Sequence, residues 1–132
     1  MRDVENELFT IVATELRTEF PDIFVTGDIV AAPNKFPCVA FYEDDNYISQ
    51  EDMDSGDHEK IAILRYRIDV YSNKVSGRKA EVKSILAVIQ PYLYARNFTR
   101  FSQTPINDLG DKIYHVIALY RVKTDGTSFY RV

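Results

Sequence analysis

The sequence has little of what marks exported or membrane-spanning proteins: one cysteine in 132 residues, and no apolar run near the roughly 20 residues that span a bilayer. Cys38 has no second cysteine to pair with inside the chain, which fits a reducing compartment. Its apolar neighbours predict a buried, unreactive thiol. The acidic N-terminal segment is not typical of a signal peptide. We therefore expect a protein that is not exported and does not contact a membrane.

The signatures of common catalytic and metal sites are also missing. The sequence has no glycine-rich phosphate loop, no nucleophile elbow and no cysteine or histidine pair at metal-ligand spacing. A Cys–His nucleophilic site would need Cys38 with His58 or His115, and no third group is indicated. The acidic run at 52–59 departs from the EF-hand loop, since Gly56 stands where a third ligand is needed. We expect no enzyme, no metal and no cofactor.

The composition is that of an ordinary globular domain with many aromatic side chains. Hydrophobic residues make up 45% and charged residues 27%, which excludes a disordered chain, and the length suits one domain over residues 1–132. The net charge of −4 gives no general attraction to nucleic acid or to anionic membranes. Nine tyrosines and eight phenylalanines favour a protein interface, where an apolar ring with a polar tip is useful.

Residues 60–97 form the central unit, which is a strand, a glycine turn and a helix. From position 62 the side chains alternate between two faces, as in a half-buried strand. One face holds Ala62, Leu64, Tyr66, Ile68 and Val70, and the other holds Ile63, Arg65, Arg67, Asp69 and Tyr71. After Gly77 the apolar period becomes helical. Pro91 either ends this helix near Gln90 or kinks it, and we favour the kink because Leu93 continues the apolar stripe.

The elements on both sides of this unit complete the fold. A first helix is predicted at 3–19, with Asp3 as its N-cap and Pro21 beyond its end. Strands are predicted at 23–26, 38–43, 98–102, 112–123 and 128–132, the last as a short edge strand. The pattern predicts an α+β fold of one domain: a mainly antiparallel sheet of about four to five strands with two helices on one face, ordered α-β-β-β-α-β-β. The other face must be partly polar or used by a partner.

Residues 43–59 are strongly acidic, with eight carboxylates in seventeen residues. Because Ser55 and Gly56 give a turn signal near the middle, the segment is predicted to be the exposed tip of a long hairpin or a loop between two strands. Its acidic side chains include Asp44, Asp45, Glu51, Asp52, Asp54 and Asp57.

Basic residues gather elsewhere. Arg65 and Arg67 share one strand face with Tyr71, and Arg121 lies on the last long strand. Such a patch fits a nucleic-acid surface, a contact between subunits of a self-assembling ring, or a mixed solvated surface. The negative net charge argues against nucleic acid.

In chain order, several segments resemble one family, the small tail-terminator (tail-completion) proteins of long-tailed phages and prophages of Gram-positive bacteria. These segments are Glu19-Phe20-Pro21-Asp22-Ile23-Phe24-Val25-Thr26, Ala32-Pro33-Asn34-Lys35-Phe36-Pro37-Cys38-Val39, Tyr66-Arg67-Ile68-Asp69-Val70-Tyr71-Ser72-Asn73-Lys74, Ser76-Gly77-Arg78-Lys79-Ala80-Glu81, Asn97-Phe98-Thr99-Arg100, Tyr120-Arg121 and Tyr130-Arg131. Pro91 departs from the family pattern. The resemblance covers most of the chain and rests on structural residues, so it carries no reactive motif.

The resemblance implies a structural virion protein that caps the tail tube, usually as a hexameric ring, terminates tail growth and offers a docking surface to the head or neck. A phage-derived contractile bacteriocin, which has a tail and no head, is equally compatible. The implied partners are further copies of the chain, the tail tube protein and head, neck or sheath proteins, with DNA only passing through the lumen. The implied location is the tail of a particle assembled in the host cytoplasm.

On this hypothesis the subunit contact uses sheet residues, and the candidates are Arg65, Arg67, Asp69, Tyr71 and Arg121. The tube or lumen contact uses the acidic segment, with candidates Asp44, Asp45, Glu51, Asp52, Asp54 and Asp57. The first alternative is a head–tail connector or neck protein. The alternative from another class is a nucleic-acid-binding α+β module.

Overall fold

Two helices and six strands build the chain in the order α-β-β-β-α-β-β-β. The computed structural model describes residues 4–48, 61–125 and 128–132. The elements are α1 (Val4–Glu19), β1 (Phe24–Thr26), β2 (Cys38–Ile48), β3 (Ala62–Ser72), α2 (Arg78–Ala95), β4 (Thr99–Ile106), β5 (Tyr114–Thr124) and β6 (Phe129–Tyr130). Within the described ranges, no helix is long and apolar enough to cross a membrane.

The strands join into one sheet with the order β1-β2-β3-β5-β4, and β6 pairs with the end of β5. β1 runs parallel to β2, whereas the other pairs are antiparallel. The central strands β3 and β5 pair along their full length, from Ala62 opposite Thr124 to Ser72 opposite Tyr114. Such long antiparallel pairing fixes the register, because a slip of one residue would turn each apolar side chain to the other face.

Both helices cover the same face of the sheet, which we call the inner face. Apolar side chains there alternate along β3 and are fully or almost fully buried, namely Leu64, Tyr66, Ile68 and Val70. The helices bury the matching stripes Leu8, Val12 and Leu16 of α1 and Val82, Ile85, Ile89 and Leu93 of α2. Burying each such side chain stabilises the fold by about 1.5–3 kcal/mol before entropy is counted. The helices therefore sit on the sheet because their apolar spacing matches the alternation of β3.

The second helix continues past its proline. Pro91 lies inside α2, which runs to Ala95, and Leu93 is fully buried against the core. Gly77 precedes the helix with φ of 85°, a left-handed conformation that glycine adopts without a steric penalty. The hydroxyl of Tyr120 donates to Oε1 of Gln90 and so joins the middle of α2 to β5. The prediction that the helix continues to Leu93 is confirmed.

The α+β prediction with two helices on one face of a mainly antiparallel sheet is confirmed, and three details of it are corrected. The sheet has six strands, since the short strands β1 and β6 both pair with it. β2 continues to Ile48, five residues beyond the predicted end, because its acidic side chains can face solvent while its backbone still pairs with β3. β4 runs to Ile106, although its polar residues weakened the strand pattern beyond position 102.

Candidate interaction surface on the outer face of the sheet

The face of the sheet opposite the helices, here called the outer face, carries the residues that the sequence selected. The strand register arranges them in rows that cross the sheet from β2 through β3 and β5 to β4. In order, the rows are Cys38–Tyr71–His115–Ile106, Ala40–Asp69–Ile117–Thr104, Tyr42–Arg67–Leu119–Ser102 and Asp45–Arg65–Arg121–Thr99. Residues far apart in sequence thus become direct neighbours on one surface.

One end of the outer face, which holds the row from Cys38 through Tyr71 and His115, is covered by loops of the same chain. Tyr71 donates a hydrogen bond of 2.7 Å from its hydroxyl to the backbone oxygen of Val30 in the loop between β1 and β2. Its ring stacks on the imidazole of His115, with 4.1 Å between ring centroids. Cys38, beside Tyr71 in the sheet, is fully buried. Tyr71, His115 and Cys38 are therefore buried at this end of the face.

A buried charge network lies under that cover. The carboxylate of Asp69, 1% exposed, accepts hydrogen bonds of 3.0 and 3.2 Å from Nε of Arg67. Its Oδ1 lies 3.3 Å from Nε2 of His115, and the other imidazole nitrogen, Nδ1, lies 2.9 Å from Oδ1 of Asp108. Burial lowers the pKa of His115, but the hydrogen bonds and charges of the two carboxylates outweigh it and raise that pKa above its ordinary value. The imidazolium therefore has a carboxylate on each side.

Acidic groups around this network hold their protons more tightly than usual. Burial raises the pKa of the Cys38 thiol to about 11, and the charge of Asp69 adds to the effect. Burial and the same carboxylate also raise the pKa values of the Tyr71 and Tyr42 hydroxyls. None of these three groups is poised to ionise near neutral pH.

The other end of the outer face, which holds Arg65 and Arg121, is partly exposed and is called the open end. Ile117 and Leu119 of β5 are half-buried there, although the helices lie on the opposite side of the sheet. Nε of Arg65 donates a 2.8 Å hydrogen bond to Oδ2 of Asp44. The guanidinium of Arg121 lies over the ring of Phe101, 5.1 Å from its centroid. Apolar side chains flanked by fixed arginines are typical of protein interfaces.

The structure separates the sheet residues selected from the sequence into two groups. Arg65, Arg67 and Arg121 lie in adjacent rows of the outer face and keep part of their surface exposed. Asp69 and Tyr71 share that face but are 1% and 2% exposed, so a partner could reach them only if the covering loops moved. The sequence placed them on the outward face and gave no sign of the loops that cover it.

The acidic residues divide similarly. Asp44 and Asp45 are exposed. They were predicted to lie in the tip of a long hairpin or in a loop, but they lie within strand β2, at an irregularity in its pairing with β3. The other tube or lumen candidates, Glu51, Asp52, Asp54 and Asp57, lie outside the described residues.

Three contributors to this surface were not selected from the sequence. His115 could have been found, because alternation along its strand places it on the same face as Arg121. Phe101 could not, since it is the extra residue of a bulge between Arg100 and Ser102 that breaks the alternation. Asp108 lies in a loop with no periodic signal, and only the tertiary fold brings it to His115.

A separate groove of about 670 Å³ lies between the start of α2 and the β4–β5 turn, lined by side chains that include Lys79, Pro105, Ile106 and Tyr114. In the part of the chain that the structure describes, no group of three or more His, Cys, Asp or Glu side chains is arranged to hold a metal ion.

Comparison of the sequence with protein-family models and with curated proteins gives no match.

Proposed function

We propose that this chain is a structural subunit of a phage-type tail, which assembles as a ring on the end of the tail tube, stops tail growth and presents the docking surface for a head or neck. The observation that carries the proposal is the open end of the outer face, where Leu119 and Ile117 lie half-buried beside Arg65 and Arg121. Partly exposed apolar side chains beside arginines form a surface that is suited to contact with another protein.

The sequence resemblance supplies the kind of partner. Its segments run through the loop before β2, the turn before α2 and the arginines of β3 and β5, and the first and the last of these lie at the outer face. A ring of about six copies joins two different surfaces of each subunit head to tail. Such a protein acts through complementary surfaces, and no bond is made or broken.

Acidic residues suit the lumen or tube side of the proposed ring. Asp44 and Asp45 are exposed on β2, the strand that leads into the rest of the acidic segment. Carboxylates repel the phosphate backbone, so DNA would pass a lumen lined by them without binding. A head–tail connector would use the same fold and ring symmetry, and its distinguishing partner would be the portal end of a head instead of a tail tube.

The nucleic-acid alternative is based on the face that holds Arg65, Arg67 and Tyr71, and the position of Tyr71 argues against that site. A base-stacking site needs an accessible aromatic face beside the arginines. The Tyr71 ring is instead stacked on His115 and is 2% exposed. Salt-dependent binding of an oligonucleotide by the monomer would revive this alternative.

The proposal is tested with purified chain and purified tail tube protein, together and apart. Light scattering gives the mass in solution, and electron microscopy shows whether tubes carry a cap. We expect rings of about six subunits that close on tube ends and stop tube extension. A protein that stays monomeric and leaves tube length unchanged would overturn the proposal, whereas caps on head portals and not on tubes would favour the connector.

A further inference from the structure

The two lateral edges of the sheet carry opposite charge. The first, called the acidic edge, comprises Glu43, Asp44 and Asp45 of β2 with Glu5 of α1. Residues 38–48 contain those three carboxylates and no lysine or arginine. The second, called the basic edge, comprises Arg100 and Phe101 of β4, Arg131, and Arg121 of the neighbouring inner strand β5, whose guanidinium lies over the ring of Phe101. Residues 95–106 and 119–132 contain five basic side chains and one acidic one. A chain of net charge −4 thus concentrates cations at one border of its sheet.

Arg121 is the least compensated charge on the basic edge. It lies directly opposite Arg65 on the neighbouring strand, and like charges in that position repel. Arg65 is paired with Asp44 at 2.7 Å, whereas Nε of Arg121 is buried and has no hydrogen-bond partner within the described ranges. A buried donor without a partner costs free energy, so the guanidinium is poorly compensated within its own chain. Arg121 as a whole keeps part of its surface exposed, and its charge is therefore available to a carboxylate of a partner.

Phe101 makes the same edge suitable for a protein partner. It is the bulged residue of β4, is 43% exposed, and supports the guanidinium of Arg121 on its ring. Bulges turn side chains outward at sheet edges. Arginine and aromatic side chains are enriched among the residues that contribute most of the binding energy in protein interfaces.

The backbone at both edges is protected against pairing with another strand. On β2, the amide of Glu43 donates to Oε2 of Glu5 at 2.6 Å, and the amide of Asn46 donates to Oδ1 of Asp45 at 2.8 Å. β4 contains Pro105, which has no amide hydrogen, in addition to its bulge. These features oppose strand addition. We therefore expect contact at these edges to be made mainly by side chains.

We propose that the basic edge of one copy docks against the acidic edge of the next copy, with Arg100 and Arg121 facing Asp44 and Asp45. Contact between two identical edges would place like charges together, so the association is head to tail, the arrangement that generates rings. The inference rests on the proposed function in needing self-assembly, and it adds the contacting residues. It also moves the contact from the middle of the outer face to the borders of the sheet, and it places Asp44 and Asp45 in the contact between copies instead of in the lumen.

Two charge-reversed proteins test the pairing. The first carries R100E and R121E, and the second carries D44K and D45K, so each has two edges of the same sign. A matched control, K83E with K112E, makes the same charge change as the first at two exposed lysines away from both edges. Circular dichroism and thermal unfolding establish that each variant is folded. Light scattering and pelleting with tail tubes then measure assembly.

We expect each edge variant alone to need at least about a hundredfold higher concentration for half-assembly. An equimolar mixture of the two should assemble as an alternating array, because each acidic border then meets a basic one, and the control should assemble like the natural protein. Folded edge variants that assemble normally, or a mixture that fails to assemble although the natural protein does, would overturn this inference alone. Failure of the natural protein to assemble, free or on tubes, would overturn both proposals.

Discussion

Nε2 of His115 lies 3.3 Å from Oδ1 of Asp69, and both side chains are almost fully buried on a face of the sheet that the helices leave uncovered. Arg67 shares the same carboxylate, and Asp108 holds the other side of the imidazole. The protonated form of His115 thus links β5, β3 and the β4–β5 turn.

Stability should fall as pH rises above neutrality. The pKa of His115 in the folded protein is above the ordinary value of 6.5, so its contribution is fully present below that value and is lost as pH rises through the folded pKa. Thermal unfolding followed from about pH 6 to about pH 9 should show a decreasing Tm. The variant His115→Gln cannot titrate, and its Tm should change less over that range. Parallel curves for the two proteins would contradict the expectation.

Removing the shared carboxylate should be much more costly than removing an exposed one. Asp69→Asn leaves Arg67 without its carboxylate partner and His115 with Asp108 alone. We expect the free energy of unfolding to fall by about 2–4 kcal/mol, less than for a fully buried pair because Arg67 is partly exposed. Asp44→Asn breaks the exposed pair with Arg65 and should cost less than about 1 kcal/mol. Urea unfolding of both variants measures the difference. Equal losses would show that Asp69 is not the centre of the network.

Replacing Pro91 should stabilise the protein. Proline within a helix removes one backbone hydrogen bond, and Pro91 is exposed, so its ring contributes little to the core. We expect Pro91→Ala to raise the free energy of unfolding by about 1–3 kcal/mol, since Leu93 already holds the last turn of α2 in place. Lys83→Ala, at an exposed position of the same helix, should change it by less than about 0.5 kcal/mol. A loss of stability in Pro91→Ala would mean that the proline has a packing role.

The thiol of Cys38 should report global unfolding. Its pKa of about 11 makes the thiolate about a hundredfold scarcer at neutral pH than for an ordinary thiol, and the sulfur is fully buried. A thiol reagent should therefore label the folded protein very slowly and the urea-unfolded protein at once. Rapid labelling without denaturant would show that the loop between β1 and β2 opens on its own.

The helices and most strands could be predicted because their signals are local. Leu64, Tyr66, Ile68 and Val70 alternate with polar residues, and that period requires a strand with one buried face. The apolar stripe that includes Leu93 also predicted that α2 continues past Pro91. The ends of strands were harder to predict from the sequence. The acidic residues of β2 have a composition typical of a loop, and only their pairing with β3 makes them part of a strand.

By itself, then, the sequence determined the elements, the α+β class and the face of the sheet on which Arg65, Arg67, Asp69 and Tyr71 lie, because side-chain direction in a strand follows from alternation alone. Which of them a partner can reach was decided by tertiary structure. The loops holding Val30 and Asp108 come from distant parts of the chain and cover Tyr71 and His115, and no pattern along the sequence records such contacts. The same long-range pairing set Arg121 against Arg65 and gave the sheet its acidic and basic borders.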